Sequence, residues 1–251
     1  MNRVGVLFGC GLTWLFVLAS PAFSQGNRCA DCHFANPTAP AADHLSDWNR
    51  SAHSRNNVGC EKCHGGDPST FEPALAHRGV LNSANPSSPV NERNLSATCG
   101  ACHAGAFVAF QKSRHYELIT KGDFRVPGCT SCHGGMGSRS PSSPRALESE
   151  CRQCHGPNGI AKRTELPEQA RAMYEAIAES RNLLNVTNEL ISHVTDKTRR
   201  AQLEQAQQQA EVPLTEAVQA GHAFVFDALK ERLSTARRRI EALLVQLANP
   251  Q

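Results

Sequence analysis

The sequence predicts a mainly α chain in two parts: a loop-rich region of short helices wrapped around an interior that side chains do not fill, followed by a C-terminal pair of long helices. Three observations carry this. Ten of the eleven cysteines fall between residues 29 and 154, and none follows. Residues 29 to 164 are rich in Gly, Pro, Ser, Asn and Asp with no sustained helical or strand period, so alone they bury little apolar surface. From Pro167 the composition turns to Ala, Glu, Gln, Arg and Leu, with apolar residues at helical spacing.

The chain opens MNRVGVLFGCGLTWLFVLASPAFSQG: Arg3, an apolar run from Val4 to Ala19, then the small residues Ala22 and Ser24. This reads as a secretory signal peptide over residues 1–24. The run is shorter than the roughly 20 apolar residues of a spanning helix, and Cys10 lies inside it and leaves with it. The second region, 25–164, then belongs to an exported compartment where disulfides are permitted.

The spacing of the ten remaining cysteines points elsewhere. Each belongs to a C-x-x-C-H frame: Cys29 with Cys32, Cys60 with Cys63, Cys99 with Cys102, Cys129 with Cys132 and Cys151 with Cys154. Cysteines at i and i+3 share one side of a helical turn, so both thiols reach the two vinyl groups on one porphyrin edge and form thioethers. The histidine that follows turns to the iron from the same side. The frames thus predict five covalently bound haem c groups, with His33, His64, His103, His133 and His155 as proximal iron ligands. Zinc is the competing reading, but zinc pairs need no histidine after each second cysteine, and five pairs leave one without a partner.

Residues 110–135 repeat residues 48–66. Each stretch has an aromatic residue, Trp48 or Phe110, then S-x-H, then C-x-x-C-H-G-G. The modules run from Cys29 to Gly66 and from Cys99 to Gly135, a duplicated two-haem unit. His53 and His115 occupy equivalent places and are the first candidates for the second axial position; histidine on both faces closes an iron to substrate and suits an electron carrier. His77, His44 and His222 complete the candidate metal ligands. Met136 is read as a loop residue and His193 as exposed. Trp48 and Phe110 are expected beside the porphyrins, and the Gly-Gly pairs at 65–66 and 134–135 to make tight bends.

The third region, 165–251, is a helical tail, either a hairpin or a kinked helix. Met173, Ile177, Leu184, Ile191 and Val194 mark one helix face. Pro213 is expected to begin a second helix or kink the first. Val218, His222, Val225, Leu229, Leu233, Ala236, Ile240, Leu243 and Leu247 form a second stripe. The net charge of +3 carries no sign of a nucleic-acid or polybasic membrane role.

The five C-x-x-C-H frames, the W/F-x-x-S-x-H elements at His53 and His115, CHGGD at 63–67 and the late helices together resemble the multihaem cytochromes c of bacteria. Similar groups are small tetrahaem carriers and a pentahaem donor to nitrite reductase. The resemblance implies a periplasmic electron carrier with largely bis-histidine haems, no catalytic residues of its own, and redox partner proteins as donor and acceptor. An alternative is a multihaem reductase of nitrite, hydroxylamine or a sulfur oxyanion with one open haem; the C-x-x-C-K frame of the resembling pentahaem nitrite reductases does not occur. In a third reading the C-terminal helices serve docking or oligomer formation and the haem region a sensor.

Overall fold

The computed structural model describes residues 27–36, 42–136, 141 and 143–249; the expected signal peptide with Cys10 lies outside them. The described residues form thirteen α-helices and one 3₁₀ turn, without a strand, in keeping with the mainly α class.

Ten helices precede the tail: α1 (Arg28–Ala35), α2 (Ala42–Arg50), α3 (Ala52–Arg55), α4 (Glu61–His64), α5 (Pro73–Ala76), α6 (Glu92–Gly100), α7 (Ala104–Phe110), α8 (Arg114–Thr120), α9 (Cys129–His133) and α10 (Pro144–His155). Polar side chains, rather than apolar packing, start half of them. Asn27, Ser51, Asn91, Ser113 and Ser143 each accept a hydrogen bond from a backbone N–H in the first turn. Pro73 and Pro144 open α5 and α10, where a missing N–H removes no helical bond. Of the buried apolar side chains among the described residues, only those of Ala30, Leu45, Ala109, Phe110 and Ile119 lie before residue 165. The side chains alone do not give this part a core.

The tail has its own core. α11 (Leu166–Ser192) and α12 (Lys197–Ala220) are joined by a short turn, and α12 leads through the 3₁₀ turn Gly221–Ala223 into α13 (Phe226–Ala248). Short connections make sequential neighbours antiparallel. Ile177 and Leu184 of α11 meet Ala210, Leu214 and Ala217 of α12 and Leu229, Leu233, Ala236 and Ile240 of α13. Ile191, Leu203 and Leu243 close the other end. The two expected long helices are present as α11 and α13, and α12, formed by the polar run before Pro213 and the residues after it, is a further long helix packed on both.

The turn is not where Pro213 suggested. Pro213 lies buried inside α12, and the chain reverses instead at residues 193–196 and 221–225. Proline removes the bond its N–H would give to the carbonyl four residues earlier, that of Gln209. Arg239 of α13 donates its Nη1 to that carbonyl at 2.7 Å, so the helix passes through the proline with the freed acceptor satisfied. His222 and Val225 consequently sit in the turn between α12 and α13, and the helical core stripe starts at Leu229.

The two parts dock closely. α10 packs along α11, with Arg171 facing Glu148 at 3.5 Å and the Tyr174 hydroxyl donating to the Pro141 carbonyl at 2.8 Å. α7 lies against the end of α12 and the 3₁₀ turn; a Cβ on Gly105 would stand 2.6 Å from the Gln219 amide. This places His222 beside the ten-cysteine region.

Candidate functional site

Each frame sits at a helical turn, as the i, i+3 spacing requires. CADCH lies in α1, CEKCH leads into and fills α4, CTSCH is α9, and CRQCH ends α10. In the third frame Cys99 ends α6 and His103 stands at the start of α7. None of the ten frame cysteines is joined in a disulfide.

The S-x-H element has a local cause. Ser51 caps α3 and Ser113 caps α8, so each histidine falls on the second helical residue at a fixed angle to its cap. The backbone N–H of each serine donates to the aromatic residue three before it, Ser51 to Trp48 at 2.9 Å and Ser113 to Phe110 at 2.8 Å. Both serines are buried. Trp48 donates its indole N–H to the Val58 carbonyl at 2.9 Å, and Phe110 packs edge-to-face on Tyr116 at 5.7 Å.

The eleven histidines sort themselves into five pairs and one outlier. His33 faces His77 with ring centroids 5.9 Å apart, His64 faces His44 at 5.9 Å, and His103 faces His53 at 6.0 Å. His133 faces His222 at 6.2 Å and His155 faces His115 at 6.1 Å. Each pair joins one frame histidine to one outside the frames. His193 stands apart, exposed, its Nε2 3.1 Å from Glu189.

Hydrogen bonding orients several rings. Among the described residues these ten rings use only Nδ1 toward protein acceptors: His53 with the Met136 carbonyl at 3.0 Å, His77 with Pro73 at 2.8 Å and His222 with Gln219 at 3.1 Å. A donated Nδ1–H fixes the tautomer that leaves the Nε2 lone pair free for a metal. Burial pushes His64, His115 and His133 below the ordinary histidine range, and the facing ring adds to each shift. Both causes favour the neutral ring, the form that ligates.

These residues fit haem. A separation near 6 Å leaves room for one metal between two imidazole nitrogens at about 2 Å from each. No group of three or more His, Cys, Asp or Glu converges among the described residues as a zinc cage would need. The thiols also follow one another in space. Cys60 lies within electrostatic reach of Cys29, Cys63 of Cys102, and Cys151 of Cys132. Cys99 and Cys129 lie within electrostatic reach of each other, which raises the Cys99 thiol, and Cys129 donates its thiol to the Ser96 hydroxyl at 3.9 Å. Burial pushes Cys60 and Cys151 up to about 11. The frames therefore neighbour one another in chain order.

Sequence reasoning found all ten paired histidines. It missed the capping serines, although S-x-H just before a helix was a usable signal. It also missed the part Met136 plays, which is through its carbonyl on His53 and not its thioether. Of the glycine bends, Gly65, Gly66 and Gly134 take positive φ of 76°, 88° and 68°. A Cβ on Gly66 would stand 2.4 Å from the Ala76 carbonyl oxygen, so a tight backbone crossing requires glycine there.

Two family models match separate stretches: cytochrome c7 and related cytochrome c over residues 85–156, and cytochrome c554 and c-prime over residues 18–65. A C-type polyheme cytochrome, OmcC, of Geobacter sulfurreducens is 27% identical over 117 residues, which cover 44% of this chain and 14% of that protein. The chain thus spans a small part of that relative's length. No solved structure matches the chain. With repeated C-x-x-C-H frames, a facing histidine for each, and family matches at both ends of the frame region, the chain is similar to the multihaem cytochromes of the c type.

Proposed function

We propose that the chain is a periplasmic electron carrier with five covalent haems, each iron held between two histidines. The thioether anchors are Cys29 and Cys32, Cys60 and Cys63, Cys99 and Cys102, Cys129 and Cys132, and Cys151 and Cys154. The axial pairs are His33 with His77, His64 with His44, His103 with His53, His133 with His222, and His155 with His115. The observation that carries this is the set of five facing imidazole pairs, with no frame histidine left over.

Haem supplies the one-electron couple; the protein supplies distance, ligation and environment. Two histidines on an iron leave no face for substrate, which supports a carrier over a reductase. The order of the thiols supports a wire running from the first frame to the fifth, entered and left at its ends. The leader-like opening supports export, and no described helix is long and apolar enough to cross a membrane. Donor and acceptor are proposed to be proteins that dock near either end.

Intact mass and electron paramagnetic resonance of the exported, matured protein test the reading. Five haem additions with only low-spin ferric signals are expected. Fewer additions, or a high-spin signal that shifts with nitrite or hydroxylamine, would overturn the carrier in favour of an enzyme with an open iron.

A further inference from the structure

The ring pairs are not equivalent in what lies behind them. In three of the five pairs one ring donates its Nδ1–H to a backbone carbonyl: His53 to Met136, His77 to Pro73 and His222 to Gln219. Among the described residues neither ring does in the pair of His44 and His64, nor in the pair of His115 and His155, and burial distinguishes the second of these. Both Nδ1 atoms are buried, sealed from water, and without a hydrogen-bond acceptor. No other histidine among the described residues has a buried, unpartnered ring nitrogen.

Part of what covers the His115 ring comes from the tail. Phe224 packs edge-to-face on the His115 ring with centroids 4.9 Å apart and planes at 71°. It does so from a left-handed backbone conformation, φ 55°, that a bulky aromatic residue seldom adopts. The same turn carries His222 two residues earlier, facing His133. One short loop thus seats one candidate ligand and covers another.

A donated Nδ1–H makes an imidazole a more electron-rich ligand, which favours ferric iron; ligand hydrogen bonding and burial are two of the ways a protein sets haem potential. Withholding the acceptor from both rings has the opposite effect, and exclusion of water disfavours the extra positive charge of the ferric state. Both effects act on one iron, at the end of the array.

We propose that the haem bound at Cys151 and Cys154 between His155 and His115 has the most positive potential of the five, and that Phe224 is a positioning residue that maintains it by sealing His115. On the proposed ligation, from which this follows, the first electron to enter the oxidised array resides at the tail end. It reaches that ferric iron from any upstream ferrous haem, which is oxidised in exchange.

The test uses the full-length holoprotein, titrated with redox mediators while paramagnetic resonance follows each low-spin signal. His115→Met assigns the fifth-frame haem: one low-spin signal should change, and it should be the signal of the haem that is reduced first. Phe224→Asn keeps a residue that tolerates the left-handed conformation but opens His115 Nδ1 to water. It should shift the Fe(III)/Fe(II) ratio of that haem about tenfold toward ferric at fixed potential, about 59 mV for a one-electron couple. The other four signals should stay in place, and Phe224→Leu should move that haem much less. The proposal is overturned if the haem reduced first is not the one His115→Met alters. It is equally overturned if Phe224→Asn matures with five haems and moves no potential. If His115→Met changes no low-spin signal, the ligand assignment itself has failed, a distinguishable result. Should Phe224→Asn yield no holoprotein, the order of reduction assigned through His115→Met decides alone.

Discussion

A histidine reaches its partner here because a serine three residues after an aromatic one fixes where a helix begins. Ser51 and Ser113 are 2% and 4% exposed, and each accepts a first-turn N–H. Replacing either by alanine leaves that N–H without its acceptor in a buried place and costs about 1 kcal/mol. For a chain of this size the melting temperature should fall by about 2–4 °C, read by calorimetry of the holoprotein. Ser51→Ala should also broaden the low-spin signal assigned to His53, Ser113→Ala that assigned to His115, while serine-to-threonine variants keep both. A uniform effect on all signals would show that the caps stabilise without orienting. The sequence made the two histidines legible because the W/F-x-x-S-x-H element occurs twice. It did not reveal their partners. His53 faces a ring fifty positions later, at 103, and His115 one forty positions later, at 155, so pairing is decided by tertiary structure that no local pattern encodes.

Among the helices, the frame-bearing ones were readable from spacing and the tail helices from period, but the tail's turns were not. Proline inside a helix costs about 3 kcal/mol relative to alanine, a strong local signal for a break. A helix packed on two neighbours overrides it, since packing of the apolar faces of α11 and α13 outweighs one poor residue. The guanidinium of Arg239 on the Gln209 carbonyl removes part of the penalty. Arg239→Met should therefore destabilise by about 0.5–1.5 kcal/mol, the ordinary worth of one hydrogen bond. Pro213→Ala should stabilise, by less than the open-helix figure of about 3 kcal/mol, because the buried ring leaves some volume empty. The decisive measurement is the double variant by thermal unfolding. With an N–H restored at 213, Arg239→Met should cost much less than in the parent, and simple additivity would refute the link.

Taken whole, the molecule joins a part with few buried apolar side chains to a part with a continuous apolar core. On the proposed ligation, residues 27–164 take their interior from porphyrin, as small metalloproteins depend on their metal. Chain exported without haem maturation should keep the helicity of α11 to α13 and lose most of that of α1 to α10, which far-ultraviolet circular dichroism with limited proteolysis will resolve. Full helicity without haem would refute the dependence. This division was visible in composition alone; the link between the parts was not, because His222 reads equally well as a core residue of a helical stripe. The docked tail brings it to 6.2 Å from His133, and that contact separates two views of the tail. If the tail only docks partners, a chain ending at residue 164 keeps its haem spectrum. If it provides an axial ligand, that chain still carries five haems by mass, but one iron loses its sixth ligand and turns high-spin. His222→Ala in the full-length protein should give the same single high-spin signal, restored to low spin by added imidazole. Four remaining low-spin signals beside one high-spin signal in both proteins would make the tail part of the wire.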